Sequence, residues 1–71
     1  MAVIWADERL SNAQVARELE IQRQHWLETA RAFERLKANL EEPSAVQYAD
    51  DYAQTCRRRA DQLESLLRQM Q

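Results

Sequence analysis

Two stripes of apolar and small positions, divided by Pro43, organise this chain. Before the proline, Val15, Leu19, Gln22, Trp26, Thr29, Phe33, Leu36 and Leu40 recur at alternating steps of four and three. After it, Val46, Ala49, Ala53, Cys56, Ala60, Leu63, Leu67 and Met70 recur at steps of three and four. Such spacing keeps side chains on one side of a helix and is the pattern of a coiled-coil seam. It predicts an all-α fold, a coiled-coil-like antiparallel two-helix hairpin. The first helix is expected over about 11–40, the turn over 41–44 and the second helix over about 44–70.

The ends of these segments carry their own signals. Ser11 with Gln14, and Ser44 with Gln47, have capping-box spacing, in which a hydroxyl and an amide each satisfy an orphan backbone N–H. Asn39 suits a left-handed helix end, and Glu42, before proline, is steered away from the α region. Asp50 and Asp51 are expected to complement the positive end of the second helix. Folding about Glu42-Pro43 pairs positions whose numbers total 85 or 86, so Phe33 is expected against Ala53 and Trp26 against Ala60. Both aromatics are then expected to be largely buried, large against small. Residues 1–10, with Val3, Ile4, Trp5 and Leu10, fall outside this scheme and read as a short helix or an arm.

Composition sharpens the picture. The 71 residues contain no glycine and one proline, and 45% are hydrophobic, eleven of them alanine. A single domain with so few bulky apolar groups has a small core and is expected to need support from a disulfide, a metal or a partner. Net charge is −2 with both signs interspersed, which excludes a general nucleic-acid binder. No apolar run approaches the ~18 residues that span a bilayer, and no basic start precedes Asp7 and Glu8, so neither a membrane span nor a signal peptide is expected. The lone cysteine, Cys56, allows no internal disulfide and fits a reducing, cytoplasmic setting.

Catalytic chemistry finds little footing. His25 is the only histidine and has no second metal ligand at helical spacing. Cys56 lies on the seam as a small hydrophobe. Arg57, Arg58 and Arg59 point about 100° apart and make no single patch, with Asp61 and Gln54 in reach as partners. Without glycine there is no phosphate-cradling loop. No enzyme, cofactor or metal is expected.

A second apolar set remains outside the seam. Tyr48, Tyr52 and Leu66, interleaved with Arg59, recur along one side of the second helix, and Leu27 and Trp5 are left over elsewhere. These six are the candidate partner-binding residues, since tyrosine and arginine are enriched in interfaces. The size, the two helices, and Leu40-Glu41-Glu42-Pro43 followed by Gln47-Tyr48 resemble the YscE/SsaE-like helical-hairpin co-chaperones of type III secretion needle subunits, over about half the chain. The resemblance implies a cytosolic partner of a tetratricopeptide-type chaperone that helps keep the needle subunit unpolymerised. Two other readings stand beside it: a needle-type subunit, and a self-associating hairpin adaptor or regulator that forms a homodimer alone.

Overall fold

A computed structural model describes residues 11–70 as two helices, α1 (Asn12–Lys37) and α2 (Pro43–Met70), packed along their length as an antiparallel hairpin. The arm expected over residues 1–10 lies outside the described residues.

The start of α1 follows its sequence signal. Ser11 is extended at φ −74°, ψ 161°, its hydroxyl accepts from the Gln14 N–H at 3.2 Å, and the Gln14 side chain accepts from the Ser11 N–H at 2.9 Å. Both orphan donors are satisfied reciprocally.

The turn departs from expectation. No described residue has positive φ, so Asn39 does not take the left-handed conformation. The helix end tightens instead: Asn39 N–H donates to the Leu36 carbonyl at 2.9 Å and Leu40 N–H to Lys37 at 3.2 Å, bonds of the 3₁₀ spacing. Nor does Ser44 cap α2. Pro43 is the first helical residue, where its missing N–H costs no intrahelical bond, and the Val46 N–H reaches back to the Glu42 carbonyl at 3.0 Å. Ser44 is therefore already inside the helix, and Gln47 bonds forward to Asp51 at 2.8 Å. Asp50 and Asp51 lie beyond the first turn and serve side-chain partners rather than the helix end.

The packed faces agree with expectation on α2 and correct it on α1. All eight seam positions of α2 are buried or half-buried. On α1, Gln22 is exposed and Leu36 is 47% exposed, whereas Ala30, outside the expected stripe, is 1% exposed. The inward line runs through Ala16, Leu19, Arg23, Trp26, Ala30, Phe33, Lys37 and Leu40, none of which is fully exposed. At Gln22 and Leu36 the packed position is thus displaced by one residue, to Arg23 and Lys37, and Ala30 is buried more deeply than the half-buried Thr29, which turns α1 so that its apolar stripe straddles the contact instead of facing it.

The reason is the size of the groups at the contact. Among the described residues the fully buried ones are Ala30, Ala49, Ala53, Cys56 and Ala60, all small. Small side chains let two helices approach closely, toward the short end of the usual 8–10 Å, and leave no room between the axes for a ring. Trp26 and Phe33 accordingly sit half-buried at the side of the contact, not largely buried against Ala60 and Ala53.

Candidate protein-binding surface

Rotation of α1 gives the hairpin two unlike flanks. Successive residues turn by about 100°, which puts Glu20 and Glu34 of α1 on the same side as Asp50, Arg57 and Arg68 of α2. Contacts between the helices match this placement. Lys37 Nζ donates to Asp50 Oδ1 at 3.0 Å and lies 3.4 Å from Glu34, which in turn meets Arg57 at 3.1 Å. Arg23–Glu20 at 2.7 Å and Arg68–Glu64 at 2.6 Å extend the row to the open end. The hydrogen bond to Asp50, ahead of the pairing with Glu34, holds the Lys37 ammonium above the usual lysine range. The hydrogen bond from Arg23, then that from Gln24, holds the Glu20 carboxyl below its usual range. Arg57 finds its acid across the hairpin in Glu34, while Arg58 reaches Thr55 at 3.4 Å and Gln54 bonds Asp50 at 3.1 Å, so the expected pairing with Asp61 is not made.

The opposite flank is aromatic and apolar. Phe33 lies 4.7 Å from Tyr52, ring centroid to centroid, tilted by 57°. Tyr48 stacks on the outer side of Tyr52 at 6.2 Å with the planes 3° from parallel. The three rings step from the edge of the core into solvent, where Tyr48 is 63% exposed. Toward the open end, the Arg59 guanidinium lies over the Trp26 ring at 5.8 Å, a cation–π contact. Among the described residues Arg59 forms no ion pair. Leu36, at the turn end, and Leu66, 46% exposed near the open end, complete the flank.

Of the six expected partner-binding residues, the structure places Tyr48, Tyr52, Arg59 and Leu66 on this one flank. Tyr52 is half-buried and belongs as much to the hairpin as to its surface. Leu27 is half-buried on the charged flank, turned away from the other four. Trp5 lies outside the described residues. Sequence reasoning missed Trp26 and Leu36 as surface groups because it committed both to the seam; Arg59, immediately before Ala60 and at a position totalling 85 with Trp26, was the available signal.

The His25 ring meets the edge of Trp26 at 5.6 Å. Cys56 is 0% exposed, and burial pushes its thiol up from the ordinary value, which keeps it protonated. Neither described helix is long and apolar enough to cross a membrane. Comparison with protein-family models, curated proteins and solved structures finds no match for this chain.

Proposed function

We propose that this chain is a protein-binding helical hairpin that works through the flank formed by Trp26, Phe33, Leu36, Tyr48, Tyr52, Arg59 and Leu66. The observation that carries the reading is the asymmetry of the two sides: ion pairs satisfy one flank from within the hairpin, while the other leaves large aromatic and apolar groups in water. Four of those groups are Trp, Tyr or Arg, the types that dominate binding energy in interfaces. A shallow apolar strip bordered by two helices suits an amphipathic helix laid along it.

The resemblance in the turn and in Gln47-Tyr48 gives the partner a definite character. In this reading the hairpin is a cytoplasmic co-chaperone that joins a tetratricopeptide-type chaperone in covering the polymerising helix of a type III needle subunit. Co-expression of the three chains and size-exclusion chromatography test it. Co-elution that Tyr48→Ala with Leu66→Ala abolishes, at unchanged hairpin helicity, is the expected result. Fibres formed by this chain alone would instead make it an assembly subunit, since contacts that do not close generate filaments.

A further inference from the structure

We infer that in the absence of a partner the aromatic flank is occupied by a second copy of this chain, the two hairpins lying face to face with their turns at the same end. The inference rests on the reading of this flank as the working surface and adds its occupant and orientation.

The area is sufficient. A helix of 26 residues is about 39 Å long, and two helices side by side present a strip roughly 20 Å wide. Pairing that strip would bury on the order of 800 Å² per copy, the size of a standard stable interface. The need is also present, because the hairpin's own fully buried residues are four alanines and one cysteine.

Charge and register choose the orientation. A face-to-face pair related by a two-fold axis has two arrangements. With the turns at opposite ends, each helix meets its own copy, antiparallel. Trp26 and Arg59 lie near the middle of the hairpin's length, so Arg59 would meet the other Arg59 in an apolar setting with no acid beside it. Like charges so placed oppose association. With the turns at the same end, α1 lies over the other copy's α2 at equal height, and positions totalling about 85 meet again. Arg59 then reaches the other copy's Trp26, the ring type it already covers within its own hairpin at 5.8 Å. Phe33 meets the second Tyr52, and Leu36 the second Tyr48. The closed four-helix arrangement leaves both charged flanks in water.

Sedimentation equilibrium combined with a spin-label distance tests this. Ser44, exposed beside the turn, is replaced by Cys and labelled in the folded protein, where the buried Cys56 is unreactive. The expected result is a dimer at micromolar concentration with labels roughly 15–30 Å apart, and a monomer for Tyr48→Glu of undiminished helicity. A separation above about 40 Å, the length of a helix, would overturn the orientation. A dimer that Tyr48→Glu leaves intact would overturn the face. A wild-type monomer at tens of micromolar would overturn self-pairing altogether, whereas the protein-binding reading fails only if the flank variants keep their co-elution with the partner chains.

Discussion

The ring of Phe33 in α1 packs against that of Tyr52 in α2 at 4.7 Å, joining the core of the hairpin to its aromatic flank. The pair lies beside the contact between the helix axes, and through it the flank supports the fold. Tyr52→Ala should therefore destabilise the hairpin itself, by about 1–3 kcal/mol from the lost aromatic pair and half-buried surface. Tyr48→Ala, which removes only the outermost ring, should stay within about 0.5 kcal/mol on the hairpin. Urea titrations followed by circular dichroism check the difference; equal losses would contradict the inner and outer placement of the two rings.

Much of this fold was legible because the helices are defined by local rules. Ser11 with Gln14, the absence of glycine, and the break at Pro43 are read directly from the chain, and the α2 stripe holds at every position. On α1 a stripe of larger side chains was legible but its orientation was not. Periodicity locates an apolar arc to within about half a turn. The choice between Thr29 and Ala30 as the buried neighbour depends on the alanines of α2, a tertiary fact. The four candidate surface residues that came together all lie on α2, whose stripe was legible, whereas Leu27 lies on α1 and falls on its charged side. Leu36 and Trp26 were hidden from the sequence reading by being assigned to the core.

The charged flank makes a pH prediction. Lys37 has its pKa raised by its hydrogen bond to Asp50, so its contribution is complete below the ordinary lysine value of about 10.5 and is lost as pH climbs through the raised value. Glu20 has its pKa lowered by Arg23, so its contribution is complete above about 4.5 and is lost as pH falls through the lowered value. Thermal unfolding should thus show a plateau between these limits, with both edges softened by salt because the groups face water. Lys37→Met should remove the alkaline edge and leave the acid one. An alkaline edge unchanged in that variant would assign it to another group.

Cys56 offers a probe of opening. Its thiol is buried and protonated, so an aromatic disulfide reagent should react only when the hairpin separates, and at a rate that falls as stability rises. Tyr52→Ala should accelerate the reaction, and Tyr48→Ala should not. Reaction of the native protein as fast as that of a free thiol would place Cys56 in solvent.

The strictest test of the corrected rotation lies at Ala30. It is 1% exposed against the small-residue face of α2, whereas Ala32, two positions on, faces water. The two alanines share a helix and an intrinsic propensity, so replacing either with leucine changes local helix preference by the same small amount. Only packing separates the variants. At Ala30 three extra carbon atoms must fit where the axes approach closely, and the helices must part or Trp26 and Phe33 must move; overpacking of this kind costs about 1–3 kcal/mol. At Ala32 the same atoms enter solvent at a cost within about 0.5 kcal/mol. Thr29→Leu makes the third arm: had the stripe through Thr29 faced α2 directly, this change would carry the penalty and Ala30→Leu would not. Urea midpoints for the three proteins at one concentration decide the matter. A penalty at Ala30 alone establishes the close alanine contact, and with it the displacement of the rings that creates the aromatic flank.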